Sequence, residues 1–289
     1  MTGNPIVHIE ATDACNLFCE ACKTPHGKNF ISIQKFTTLA KKLMGKTTSL
    51  GLHWRGEPCL HPSLPELARI AQELGFKPWI STNMAVPNLS KPEYVKPLLD
   101  NLDWIEICID GYDENTVDKY RVGAKWETVK HNLSVIGETD TKCMRKMRVL
   151  MFKYNDGKED IYRDIARRHN IDELIFASPL IGLQKNLEDE KADEWLSANK
   201  KYQRYTRKNG GWFLNTGKCN PNPIISVHGT VHPCCIDWNL EHSLGDLVTE
   251  EWDTIMGRYR VMLPTLGGQR MCELCCIPDR IVNFREKII

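Results

Sequence analysis

Strand-like and helix-like segments alternate through the first 176 residues, and that alternation limits the fold more than any other feature of the chain. Pro5–Ala11, Leu50–Trp54, Pro78–Ser81, Trp104–Ile109, Met147–Phe152 and Leu174–Phe176 are short apolar or alternating runs that read as six strands. Between them apolar residues recur at helical spacing: Phe36, Leu39, Ala40 and Leu43; Leu67, Ile70, Ala71 and Leu74; Val129, Leu133 and Ile136; Ile161 and Ile165. Gly45 and Gly75 mark the ends of the first two helices, and Ser63-Leu64-Pro65-Glu66 reads as a capping box that starts the second. Strands separated by helices at about 20–40 residues predict βα units and a parallel sheet. Such sheets, when they curl into barrels, gather their chemistry at the C-terminal ends of the strands.

Every candidate motif falls at such an end. Directly after the first strand, Cys15, Cys19 and Cys22 form a C-x-x-x-C-x-x-C run. Three thiolates on one loop reach a single soft metal centre, whereas a structural zinc site wants four protein ligands, two of them commonly as C-x-x-C. Three cysteines with no fourth nearby point to a 4Fe–4S cluster in which one iron lacks a protein ligand; a zinc site or buried free thiols are the plainer alternatives. Trp54-Arg55-Gly56-Glu57-Pro58 follows the second strand, Ser81-Thr82-Asn83 closes the third, and Ile107-Cys108-Ile109-Asp110-Gly111 the fourth, with Arg121 a short way downstream.

Together these motifs resemble the radical S-adenosylmethionine (SAM) superfamily, along nearly the whole chain. The resemblance implies a partial (β/α)6 TIM-like barrel over residues 1–182. It implies an open iron that SAM chelates through its amino and carboxylate groups. Gly56-Glu57-Pro58 resembles the family's GGEP motif, with Arg55 at its first glycine, and its backbone carbonyls and carboxylate suit the SAM ammonium. Ser81 and Asn83 match its S/T-x-N segment, which contacts the SAM ribose or carboxylate. Asp110 matches the S-x-D-G segment, with Cys108 in place of the serine. Arg121 is the matching arginine, whose guanidinium is suited to clamp the SAM carboxylate; the plainer reading is a surface ion pair. The residue before the third cysteine, usually aromatic, is Ala21, and Phe18 is the aromatic available to cover the adenine.

The remaining cysteines crowd the end of the chain. Of twelve in total, Cys219, Cys234, Cys235, Cys272, Cys275 and Cys276 lie in the last quarter. In a reducing compartment that density favours metal binding over disulfides. Ile224–Val227, His228-Gly229 and Thr230–His232 read as a β-hairpin that carries two of these cysteines at one end. Trp252, Ile255, Met256 and Tyr259 make a short helix face. The order C-x9-G-x4-C … C-x2-C resembles the auxiliary-cluster segment of SPASM and twitch domains. The resemblance implies a small twitch-type domain over 212–289 and a second 4Fe–4S cluster on Cys219, Cys234, Cys272 and Cys275, with Cys235 and Cys276 as alternative ligands. A zinc ribbon is the physical alternative for the same set. Residues 183–211 are highly charged and are expected to form a surface helix and linker with a solvated face.

The implied activity is reductive cleavage of SAM to a 5′-deoxyadenosyl radical, which abstracts a hydrogen atom from substrate. A flavodoxin- or ferredoxin-type donor would supply the electron, and the auxiliary cluster would serve in electron transfer, for an oxidation or an isomerisation. With the first cluster cysteine at residue 15, a small or non-peptidic substrate (sugar, aminocyclitol, nucleoside or amino-acid adduct) is expected ahead of peptide or protein modification. A non-catalytic iron–sulfur or zinc protein, sensing redox state or scaffolding a partner, is the alternative of another class. Glu10, His53, Lys153 and Tyr154 lie near strand ends, but none is assigned as a general base. With 38 basic and 37 acidic residues, the charge gives no case for a nucleic-acid or anionic-membrane binder. The chain shows no apolar run of membrane-spanning length and no signal-peptide layout at its start, so a cytoplasmic location is expected.

Overall fold

The computed structural model describes residues 6–20, 22, 24–179, 186–187, 189–208, 211–214, 222–262 and 283–288. Six parallel strands form its frame: β1 (Val7–Ile9), β2 (Ser49–Gly51), β3 (Lys77–Thr82), β4 (Trp104–Cys108), β5 (Met144–Leu150) and β6 (Glu173–Ala177). Six α-helices lie between β1 and β6 in the chain: α1 (Ile33–Lys42), α2 (Leu64–Glu73), α3 (Pro92–Asp100), α4 (Val117–Tyr120), α5 (Trp126–Glu138) and α6 (Glu159–Arg168). The alternation read from the sequence is thus the observed order, with α3 and the short α4 as additions. Two prolines in α3, Pro92 at the start and Pro97 within, mask its helical periodicity.

Side-chain alternation along the strands separates two environments. Ile80, Ile105, Ile107, Met147, Val149, Leu174 and Phe176 are buried and belong to one hydrophobic core shared with the helices. Their neighbours Trp79, Ser81, Trp104, Glu106, Lys146, Arg148 and Glu173 are only partly buried and occupy the opposite face, the inside of the curled sheet. Two helices are built differently from expectation. Ser63 is the N-cap of α2 but its side chain makes no cap bond; its own N–H donates to His61 Nδ1 at 3.1 Å. In α6 the inward face is Tyr162 and Ala166, while Ile161 is largely exposed. Gly75 leaves α2 at φ 86°, a left-handed exit that suits glycine.

Both edges of the six-stranded frame are extended by later parts of the chain. On one side β10 (Ile224–Ile225) runs parallel to β1, followed by β11 (Thr230–His232) and β12 (Gly245–Asp246), both antiparallel to their neighbours. On the other, β13 (Asn283–Lys287) pairs antiparallel with all five residues of β6. The result is one ten-stranded sheet with parallel pairing at its centre. The hairpin expected at 224–232 is present, and α8 (Trp252–Met262) buries the expected Trp252, Ile255, Met256 and Tyr259.

The charged stretch 183–211 is more than a solvated helix and linker. It supplies α7 (Asp189–Trp195) and, with residues beyond it, the three-stranded antiparallel sheet of β7 (Asn186–Leu187), β9 (Gly211–Leu214) and β8 (Tyr205–Lys208). Trp195, Leu196 and Tyr205 are buried in a second small core with Phe152. A few apolar residues among many charges are enough to dock the segment over the end of β5, where Trp195 meets Phe152 edge-on at 5.4 Å.

Candidate active site at the strand ends

The cysteine loop is held at its base by a polar clasp. The Asp13 carboxylate accepts from the Asn29 N–H and from Asn29 Nδ2, both at 2.8 Å, and Thr12 Oγ1 donates to the Asn29 carbonyl at 2.7 Å. Between these anchors the loop is fastened to three other strand ends. The Glu57 N–H, after β2, donates to the Ala14 carbonyl at 2.8 Å. Asn16 bonds Asn83 and the Ala85 carbonyl, after β3. Phe18 and Glu20 N–H groups donate to the Val122 and Tyr120 carbonyls, after β4. Leu17 is buried, while Cys15 and Cys19 are half-buried and Cys22 is exposed.

The thiols lie near enough to influence one another electrostatically. Burial raises the Cys15 pKa to about 11, and the neighbouring Cys19 and Cys22 push in the same direction. Cys19 is also raised by burial, with the Arg121 guanidinium opposing. Among the described residues no three His, Cys, Asp or Glu side chains converge on a point that one metal ion would fill. Thiolates around a cubane stand farther apart than ligands around one ion.

Gly56 is where β2's loop meets the cysteine loop. A Cβ there would lie 2.3 Å from the Thr12 carbonyl oxygen and 2.5 Å from that of Ala14, so only glycine fits. The Glu57 carboxylate departs from the expected role. It accepts from Cys59 N–H at 3.0 Å, Thr82 Oγ1 at 2.8 Å and Asn83 N–H at 2.7 Å, and it is almost fully buried. It caps the short turn that begins at Pro58 and braces the end of β3, so it is occupied by the protein's own donors. Asn83 is likewise occupied: its Oδ1 accepts from Ala85 N–H and its Nδ2 donates to Asn16. Ser81 points inside the sheet, its Oγ 3.1 Å from Cys108 Sγ.

Asp110 and Arg121 do come together beside the cysteine loop, and their pair is buried rather than superficial. Arg121 Nε lies 2.7 Å from Asp110 Oδ2, while Asp110 Oδ1 accepts from the Leu150 N–H at 2.7 Å. Burial pushes the Asp110 pKa up, with Arg121 opposing. Burial works against the charge of Arg121, but Asp110 and then Cys19 outweigh it and raise its pKa. The Nε–Oδ2 approach misses hydrogen-bond alignment, and the Tyr154 hydroxyl, which feels the Asp110 charge, is buried without a partner. The pair thus places two opposite, buried charges directly beside the cysteine loop.

Arg55, the departure from the usual glycine, ties this region to the C-terminal part of the chain. Its guanidinium meets Glu10 bidentately, Nε–Oε1 at 2.9 Å and NH2–Oε2 at 2.8 Å, and Glu10 Oε2 also accepts from the Val227 N–H. Glu10 is therefore a buried strut and not a free base. Trp54 Nε1 donates to the Cys235 carbonyl at 3.0 Å, which fixes the Cys234–Cys235 turn against the loop after β2. Cys234 is buried and its Sγ accepts from the Ile236 N–H at 3.5 Å; its pKa is raised, chiefly by the Cys235 thiol and then by burial. Asp237 accepts from His232 Nδ1 at 2.6 Å and from His242 Nδ1 at 3.1 Å, a clamp on the same turn that spacing alone did not reveal. Cys219, Cys272, Cys275 and Cys276 lie outside the described residues.

His53, raised as a base from its strand-end position, is partly buried and accepts from the Ser81 N–H at 3.3 Å. Burial first, and then His8, lowers its pKa well below the ordinary value, so it is neutral. Lys153 is exposed and donates to the Asp193 carbonyl.

Residues 9–165, more than half of the chain, match the Radical SAM superfamily, and the chain belongs to that family. Its members use SAM together with a 4Fe–4S cluster. Fe-coproporphyrin III synthase of Methanosarcina barkeri is 31% identical over 121 residues, which cover 40% of this chain and 30% of that protein. The matches span between 30% and 51% of the length of the curated relatives. Among solved structures, Streptococcus suis SuiB bound to precursor peptide SuiA superposes with a TM-score of 0.65 at 12% identity, covering 96% of this chain and 72% of its own. BtrN in complex with AdoMet and 2-DOIA superposes with a TM-score of 0.56 at 15% identity, covering 94% and 92%. These likenesses establish the fold, a partial TIM-like barrel of the radical SAM type. Among the described residues no helix is long and apolar enough to cross a membrane.

Proposed function

We propose that this chain cleaves SAM reductively and uses it to abstract a hydrogen atom from a small or non-peptidic substrate. The carrying observation is that loops after β2, β3 and β4 all fasten the cysteine loop, the β2 and β4 loops through its backbone and the β3 loop through the Asn16 side chain, beside the buried acid–base pair Asp110 and Arg121. A redox scaffold has no use for a buried pair of opposite charges at this place; an amino-acid ligand with an ammonium and a carboxylate matches its two signs. In this reading Cys15, Cys19 and Cys22 hold the cluster, and Arg121 sits between Cys19 and Asp110, where it offsets thiolate charge and receives a carboxylate. Backbone carbonyls of the Gly56 turn receive the ammonium, because the Glu57 carboxylate is already occupied. When bound, the cofactor pair supplies one-electron cleavage of the sulfonium and removal of a hydrogen atom.

The sheet ends in β13, which pairs with β6 and is itself an edge strand that an extended peptide can join, so peptide or protein modification stands as the second reading. Cys234, with Cys219, Cys272 and Cys275, is proposed to hold an auxiliary 4Fe–4S cluster that carries electrons, Cys235 and Cys276 being the alternative ligands. The Trp54–Cys235 bond sets that turn against the barrel.

Iron and sulfide content after anaerobic reconstitution tests the reading, together with SAM cleavage under strong reduction. About eight irons in the wild type should fall to about four in a Cys15→Ala/Cys19→Ala/Cys22→Ala variant, with 5′-deoxyadenosine formed by the wild type alone. A variant that keeps its full iron content, or a loaded wild type that leaves SAM intact, refutes it. About four irons with one zinc refutes the auxiliary-cluster part alone.

A further inference from the structure

The turn after β3 brings strained backbone, the cysteine loop and the helical core together. Met84 sits in this turn at φ 64° and is fully buried. A residue other than glycine keeps that left-handed conformation only where its surroundings enforce it. Within the turn, Thr82 Oγ1 accepts from the Met84 N–H at 3.2 Å and Asn83 Oδ1 accepts from the Ala85 N–H at 2.8 Å. From the core side the enforcing group is Asn132 on α5. Its Nδ2 donates to the Met84 carbonyl at 2.7 Å and to the Val86 carbonyl at 3.0 Å. Asn132 is fully buried, on the helix face that also carries Val129, Leu133 and Ile136. An amide on such an apolar face adds little to packing, but it satisfies two carbonyls that the turn carries into the core.

What the turn holds is the cysteine loop. With the chain reversed at Met84, the residues on either side of it both reach Asn16, the neighbour of Cys15. Asn83 Nδ2 donates to Asn16 Oδ1 at 3.1 Å, and Asn16 Nδ2 donates to the Ala85 carbonyl at 2.8 Å. The Asn83 N–H meanwhile donates to the Glu57 carboxylate at 2.7 Å, which ties the same turn to the loop after β2. Relaxing Met84 to an ordinary φ would swing Asn83 away from Ala85 and open this two-point clasp.

We propose that Asn132 is a positioning residue for the SAM site. It locks the left-handed Met84 and, through Asn83 and Ala85, fixes Asn16 and the Cys15 end of the cysteine loop. The effect on SAM rests on the radical SAM reading of the preceding section; the effect on the loop does not. Both Asn132 bonds go to the backbone of the turn, so its influence on a ligand passes through that turn.

Hydrogen exchange of the protein without cofactors, and SAM affinity after anaerobic reconstitution, test this with Asn132→Leu, which nearly keeps the buried volume and removes both donors. Exchange at residues 14–18 and 83–86 should quicken about ten-fold or more while β4 and β5 stay unchanged. The dissociation constant for SAM should rise about ten-fold, the scale of one lost hydrogen bond. Adding Met84→Gly should restore both readouts, because glycine adopts the left-handed turn unaided, even though loss of the buried Met84 side chain lowers overall stability further. A merely structural role predicts the reverse, with the double variant worse than Asn132→Leu in both. Asn16 is exposed, so Asn16→Ala decides the matter should Asn132→Leu not fold; it should loosen residues 14–18 and raise the SAM dissociation constant by a similar factor. The proposal is overturned by unchanged exchange at 14–18 in Asn132→Leu, by equal quickening in β4 and β5, by a double variant without recovery, or by wild-type behaviour of Asn16→Ala. A reconstituted wild type that binds no SAM ends the reading beneath, and exchange at 14–18 still decides the role of Asn132.

Discussion

Gly56→Ala should dislodge the cysteine loop while leaving the barrel folded. The added Cβ would stand 2.3 Å from the Thr12 carbonyl oxygen, 2.5 Å from that of Ala14 and 2.9 Å from the Asp13 carbonyl carbon. All three are backbone atoms, and their segment is clasped by Asn29, so no rotamer change relieves the contact. Separating the loops costs about 1–3 kcal/mol for overpacking. Stretching the 2.8 Å bond from the Glu57 N–H to the Ala14 carbonyl forfeits about 0.5–1.5 kcal/mol more. The expected loss, about 1.5–4.5 kcal/mol by urea unfolding, should be accompanied by loss of the iron bound at Cys15, Cys19 and Cys22. Gly257→Ala is the control. It lies in α8 with open space where its Cβ would go, and should gain roughly 0.5–1 kcal/mol with iron unchanged. If Gly56→Ala unfolds and reconstitutes like the wild type, the close approach of the two loops is not what the structure implies.

Two further outcomes follow from buried charges. Glu10→Gln, which leaves Arg55 only the Asp13 carboxylate at 3.9 Å, or Arg55→Met, which leaves the buried Glu10 without its guanidinium, should cost about 3–5 kcal/mol by urea unfolding, whereas the double variant should recover much of it; equal, additive losses would show that the pair does not act as a unit. His8, with its folded pKa at about 4 against 6.5 when unfolded, is neutral in the fold. The unfolded chain takes up the proton first, so stability is present above pH 6.5 and is lost progressively down to about pH 4, by up to about 3 kcal/mol. His8→Gln should flatten that part of the stability profile, and an unchanged slope would place the loss elsewhere.

The order of strands and helices, the hairpin at 224–232 and the strand-end position of every motif were legible in the sequence because they rest on local periodicity and turn chemistry. Cys15, Cys19 and Cys22 carry their meaning in their spacing, which needs no tertiary contact to be read. The roles of the surrounding side chains were not local. Glu57 looks free as part of Gly-Glu-Pro, and only the arrival of Cys59, Thr82 and Asn83 N–H and O–H groups around it turns the carboxylate into a brace. Arg55 reads as a misplaced residue until Glu10 and the Val227 N–H, 217 positions from Glu10, meet at one place. Trp195 and Tyr205 disappear among charges that dominate any local average, yet they dock α7 and β8 over β5. Glu106 and Arg148 are ordinary charged residues in their own strands; they become an interior pair only because curvature turns one face of the sheet inward. Sequence alone thus determined the chain's periodic elements and the spacing of its cysteines, which depend on neighbours a few residues away. Tertiary structure decided which polar groups are spent on each other and which are left to a ligand, since a hydrogen bond between distant strands is fixed by the fold's geometry.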